Sequence, residues 1–220
     1  MKALFDAIKS GDAEGVRVLL DGSPALANAA DESGTRAFVF AKYNRQNAIA
    51  QLLLDRGAEL DVFAAAMSGD AARVSSLLGQ DPSLAVTLSH DGWTALHLAA
   101  FFGHLDCARA LLDGGANVLK RSTNAMQNTP LHAAAAGRHV EIVHRLIERG
   151  ADVNARQHGG WTALHAAAQS GNADLARVLI GAGADTNLRA DNGQCAMDLA
   201  LTQGHQQVVE VLEHFGAASA

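Results

Sequence analysis

Aromatic residues make up 5% of the 220-residue chain, proline occupies three positions and cysteine two. Hydrophobic residues nevertheless account for 49%, so the apolar content is mainly Ala and Leu, which is helix-forming material. Cys107 and Cys195 are too few and too far apart for a disulfide framework and fit a reducing compartment. No Cys-x-x-Cys occurs, no His-x-x-x-His with an intervening Glu, and no Gly-x-Ser-x-Gly elbow, which removes common signatures of zinc sites and hydrolases. No apolar run reaches membrane-spanning length. After Met1 and Lys2 the apolar start Ala3-Leu4-Phe5 is broken by Asp6 and Lys9, too early for a secretory leader. The formal charge of -6, with acidic residues along most of the length, gives no general attraction to phosphate backbones or anionic lipid. The expectation is a soluble, cytoplasmic protein that is not an enzyme, needs no cofactor or metal, and has no membrane partner.

What the chain has in quantity is repetition. Thr94-Ala95-Leu96-His97, Thr129-Pro130-Leu131-His132 and Thr162-Ala163-Leu164-His165 recur at spacings of 35 and 33 residues. Gly115-Ala116-Asn117-Val118, Gly150-Ala151-Asp152-Val153 and Gly183-Ala184-Asp185-Thr186 follow at the same two spacings. A fixed period in this range marks an array of small structural units. Extending the register aligns Leu4, Phe38, Val62, Leu96, Leu131, Leu164 and Met197, and three residues on it aligns Ala7, Ala41, Ala65, Ala99, Ala134, Ala167 and Ala200. Alanine in every copy means that neighbouring helices approach closely there. Each unit reads as a short helix, a turn at Gly11, Arg45, Gly69, Gly103, Arg138, Gly171 or Gly204, and a second helix. Apolar residues of that second helix, such as Ile142, Val143, Leu146 and Ile147, recur at helical spacing. It ends at Gly57, Gly115, Gly150, Gly183 or Gly216, where a left-handed residue is needed.

These residues resemble the ankyrin repeat, a unit of roughly 33 residues built from a β-turn and two helices and carrying Thr-Pro-Leu-His-x-Ala. The resemblance implies an all-α solenoid of about seven helix-turn-helix units with short β-hairpin fingers, forming a single domain over 1–220. Its units would run 1–30 (an N-terminal cap), 31–60, 61–90, 91–125, 126–159, 160–192 and 193–220 (a C-terminal cap). Polar caps are what a solenoid needs, and Gln206, Gln207, Glu210, Glu213 and His214 dress the last unit as Asp6, Lys9, Asp12, Glu14 and Arg17 dress the first. Asp198 stands where the signature has His. For His97, His132 and His165 the resemblance implies bonds from the ring nitrogens to the backbone of adjacent turns. Stacked helices about 8 to 10 Å apart cannot bring three parallel rings to one zinc ion.

The register is uneven in two places. From Arg45 to Gly69 the interval is 24 residues where the others are 33 to 35, so the finger between Gly57 and Val62 should be missing; Lys120 to Asn128 holds about two extra residues and should form a longer finger. The gap is either neutral variation in loop length or an opening that admits part of a partner.

The resemblance further implies a protein partner, bound on the concave face made by finger tips and exposed first-helix positions. There Phe101 and Phe102, with Trp93, Trp161, Tyr43 and Met67, form a candidate apolar strip, flanked by Lys120, Arg121, Gln127, Arg156, His158 and Gln169. Large aromatics with Arg neighbours are typical of interface hot spots; equally, the tryptophans can pack on an adjacent finger and the Phe pair on a neighbouring unit. The expected function is a monomeric scaffold, adaptor or inhibitor. The alternative is nucleic-acid binding by residues 115–160, where Lys120, Arg121, Arg138, Arg145, Arg149 and Arg156 outnumber the acids. An enzyme ranks third, for want of convergent catalytic residues.

Overall fold

The computed structural model describes residues 1–216; residues 217–220, the tail of the last unit, lie outside the described residues. Fourteen α-helices, taken in pairs, make up the array among the described residues. The first helices of the pairs are α1 (Lys2–Ser10), α3 (Ala37–Tyr43), α5 (Val62–Ser68), α7 (Ala95–Phe102), α9 (Pro130–Gly137), α11 (Ala163–Ser170) and α13 (Ala196–Thr202). The second helices are α2 (Ala13–Gly22), α4 (Asn47–Asp55), α6 (Ala71–Gln80), α8 (Leu105–Asp113), α10 (Val140–Glu148), α12 (Ala173–Gly181) and α14 (Gln206–Gly216). Helices this short are marginal alone in water; they persist because each packs on its own partner and on the next pair, α7 on α9 and α11 on α13 among them. The alanine register lies on those seams. Ala41, Ala65, Ala99, Ala134, Ala167 and Ala200 have no exposed surface, while Ala7, in the first pair, is half-buried.

Local chemistry fixes the ends of the helices. The Asp12, Asp61, Asp70 and Asn172 side chains cap α2, α5, α6 and α12 by accepting a backbone N–H three residues on. Gly57, Gly115, Gly150 and Gly183, just past the second helices, take φ between 85° and 93°, the left-handed region that glycine enters without strain. The fingers are hairpin turns, each closed by a backbone bond such as Ser89 N–H to Trp93 C=O or Gln157 N–H to Trp161 C=O. Their arms are too short for a ladder, and one isolated bridge, Ala30 to Arg36, is the whole β content of the described residues.

The turns inside the pairs show why some positions are glycine and others are not. Gly69, Gly103 and Gly171 have positive φ, and a Cβ on them would lie 2.4 to 2.7 Å from the rings of His104, His139 and His205, which open the second helix of the next unit. Each ring donates from Nε2 to the preceding unit, to the carbonyls of Met67, Phe101 and Gln169 at 2.9, 3.1 and 3.1 Å. Arg45 and Arg138 hold the same left-handed conformation with a side chain. The residues that follow them in the register are Asp70 and Asn172, which are small and turned inward as caps.

Six residues, 56–61, join α4 to α5, whereas fourteen join α2 to α3, α6 to α7, α10 to α11 and α12 to α13, and sixteen join α8 to α9. One finger is therefore absent and one is lengthened. At the gap the stack is thinnest, since fewer residues of α3 approach α5 than approach between other neighbouring first helices.

Candidate binding face

The three Thr-x-x-His strings build the rigid floor of the central units. Thr94 N–H donates to His97 Nδ1 at 3.3 Å, the Thr94 hydroxyl lies 2.7 Å from the same nitrogen, and His97 N–H donates to Thr94 Oγ1. The other ring nitrogen, Nε2, faces the Asn128 carbonyl at 3.1 Å. A carbonyl only accepts and a backbone N–H only donates, so the ring is held neutral with its proton on Nε2. His132 repeats this between Thr129 and the Trp161 carbonyl, and His165 between Thr162 and the Gln194 carbonyl. Burial pushes His97 and His132 down from 6.5 to about 4 and lowers His165 in the same direction. Asp198 does this work in the last unit, accepting from Cys195 N–H at 2.9 Å. Cys107 is buried, and burial raises its thiol to about 11.

Above this floor the aromatic residues meet. Trp93 lies tilted against the His97 ring and meets Phe101 edge to face at 5.8 Å; Phe101 meets Phe102 edge to face at 5.3 Å. Phe101 is 39% exposed, whereas Phe102 is half-buried beneath the Lys42 ammonium, 5.2 Å from its ring centre. The lengthened finger brings Met126, 47% exposed, over the other side. Trp93, Phe101, Met126, Asn128 and Ala136 thus enclose a groove of about 150 Å³. Asn128 is buried in its wall, and its Oδ1 has no hydrogen-bond partner among the described residues. An orphaned buried acceptor costs about 1–3 kcal/mol. Trp161 stands one unit further on, half-buried against His165.

The remaining strip residues are placed differently. Tyr43 is 42% exposed, but its hydroxyl donates to Asp91. Burial and that carboxylate push the phenol well above its usual range. Met67, expected at an exposed position, has 0% exposure and is corrected to core. Its equivalents Tyr43, Phe101, Ala136, Gln169 and Thr202 are all exposed. Met67 alone lies under the span from Tyr43 on α3 to Asp91, because the finger that would separate them is missing.

The flanking cations act largely as straps between fingers. Arg121 donates to the Gln127 and Arg156 carbonyls, and Arg156 donates to the Arg189 carbonyl. Of the other basic residues in 115–160, Arg145 pairs with Glu148 and Arg149 with Asp113. Lys120 is half-buried, and Gln127, with φ 47°, His158 and Gln169 are exposed. Sequence reasoning missed Met126 and Asn128 as groove residues. The signal available was the two-residue lengthening that carries them.

Comparison with known proteins agrees with the geometry. A family model described as Ankyrin repeats (3 copies) matches residues 62–157 and 154–218. The Neurogenic locus Notch protein of Drosophila melanogaster is 41% identical over 40% of this chain and 3% of its own length. A probable E3 ubiquitin-protein ligase, XBOS31, of Oryza sativa subsp. japonica is 43% identical over 43% of this chain and 21% of its own. A transient receptor potential cation channel subfamily A member 1 homolog of Caenorhabditis elegans is 37% identical over 41% and 7%. The chain thus spans about a fifth or less of the length of these relatives.

Proposed function

Because the chain belongs to the ankyrin-repeat family, we propose that it is a protein-binding module, a scaffold, adaptor or inhibitor that captures a partner segment on its concave face without a cofactor. The groove between Trp93, Phe101 and Met126 carries this reading. Its apolar lining fits one apolar side chain, in the manner of an interface anchor. Phe101 contributes the exposed edge and Trp93 the fixed wall. A monomer in the reducing cytoplasm, with Cys107 and Cys195 kept as thiols, completes the proposal; both are free and buried.

Panning a displayed library of linear peptides tests it. Enriched peptides should carry an apolar anchor and lose at least tenfold in affinity for Phe101→Ala, while that variant melts within a few degrees of the parent. Enrichment by the variant equal to that of the parent would remove the groove from the mechanism. The nucleic-acid alternative loses support from the pairing of Arg121, Arg145, Arg149 and Arg156 within the fold.

A further inference from the structure

The fingers are joined to one another by a repeating backbone bond. In each, the residue after the one that closes the finger donates its N–H to the preceding finger: Thr123 to the Gly92 carbonyl at 3.0 Å, His158 to that of Met126 at 2.9 Å, and Asp191 to that of Gly159 at 2.8 Å. The equivalent residue in the finger at 86–94 is His90, since Ser89 closes that finger. Its preceding finger is the absent one, and the His90 N–H makes no hydrogen bond among the described residues. On the far side of the gap, the carbonyls of Ser33 and Gly34 at the exposed tip of the first finger accept none among the described residues. Among the described residues only side chains cross: Thr35 Oγ1 meets His90 Nε2 at 2.9 Å, and Tyr43 bonds to Asp91. Beneath that crossing lies a cleft of about 190 Å³, floored by Val39, Phe63, Met67 and Leu98.

We propose that this gap is a socket for a tight turn of a partner protein, which takes the place of the missing finger. The turn's carbonyl accepts from His90 N–H, its N–H donates toward the carbonyls of Ser33 and Gly34, and a medium-sized apolar side chain enters the cleft. The hydrogen-bonding pattern is the one the three intact junctions already use, so backbone pairing recognises the turn and the apolar floor selects its side chain. A second copy of this chain is the poorer occupant, because the fingers at 120–129, 154–162 and 187–195 are each already bonded to a neighbour. This inference goes beyond the aromatic groove and does not depend on it.

A cyclised peptide copying residues 187–195 serves as the probe, followed by amide NMR shifts of the whole chain. Saturable shifts should centre on Phe63, His90 and Leu98. His90 is the second residue of a turn closed by Gly92 N–H to Ser89 C=O, a position that accepts proline. His90→Pro therefore removes the N–H and should weaken binding at least tenfold, whereas His90→Ala, which keeps it, should stay within about threefold of the parent. Inserting a copy of residues 185–192 between Leu60 and Asp61 should abolish peptide binding and slow exchange of the His90 amide at least tenfold. Phe101→Ala should change nothing here. The proposal is overturned by absent saturation, by equal losses in the two His90 variants, by unprotected exchange at His90 in the insertion variant, by loss of binding in Phe101→Ala, or by peptide-induced dimers in sedimentation.

Discussion

Acidification from pH 7 to pH 5 should destabilise the central units by an amount set by two histidines. His97 and His132 sit neutral with both ring nitrogens committed, Nδ1 as acceptor and Nε2 as donor. A second proton would have to point at the Thr94 or Thr129 N–H. The folded rings therefore titrate near 4, against 6.5 when exposed. Below pH 6.5 the unfolded chain takes up protons that the folded chain refuses until about pH 4, so stability rises with pH across that window and falls on acidification. For a shift of this size the linkage relation gives a loss of about 2 kcal/mol per ring between pH 7 and 5, roughly 4 for the pair. His104 and His165 are shifted the same way and add to it. Small domains have only about 5–15 kcal/mol in total. The carboxylates held low, Asp31, Asp113, Glu148 and Asp198, act in a different range. Their contribution is intact above the ordinary carboxylate pKa and is lost only on going below it. Urea unfolding at pH 7, 6 and 5 measures the effect, and His97→Gln should cut the loss between pH 7 and 5 by about 2 kcal/mol. A parent that loses less than about 1 kcal/mol over that interval, or a His97→Gln variant with an unchanged pH dependence, would refute the reasoning.

Two further substitutions follow from packing. Gly103→Ala places a Cβ in the left-handed region and against the His139 ring, so it should cost about 2 kcal/mol or more in urea; a neutral result would mean the ring is free to leave the turn. Met67→Ala should cost about 2–4 kcal/mol as a core truncation, whereas the same change at an exposed position stays within about 0.5 kcal/mol, and a value in the lower range would return Met67 to the surface.

The fold was legible because packing writes on every unit. Alanine at the close helix crossing and the Thr-x-x-His cap are local rules that repeat, so each copy corroborates the others. Met67 escaped because its exposure depends on a missing neighbour, and register arithmetic assigns every copy the same surroundings. The roles of Arg121 and Arg156 escaped for a related reason: composition shows a cation beside aromatics, but whether the guanidinium faces outward or fastens the next finger depends on carbonyls 35 and 33 residues away. Phe101 and Trp93 were recognisable as large apolar residues at finger and helix-end positions. The groove they form needed Met126 and Asn128, whose placement comes from two additional residues in one loop.

The pairing of a turn glycine with the next unit's histidine sets the grammar for cutting and joining this array. A unit that opens its second helix with histidine must follow one whose inner turn is glycine, and a unit that opens with aspartate or asparagine can follow arginine. A splice made at a finger separates the two halves of that rule. Moving the His139 unit behind the Arg138 turn would drive a ring into a Cβ, whereas the Asn172 unit accepts either predecessor. Repeats here are consequently not interchangeable beads: compatibility is carried by the seam, and a transplanted unit needs its predecessor's turn.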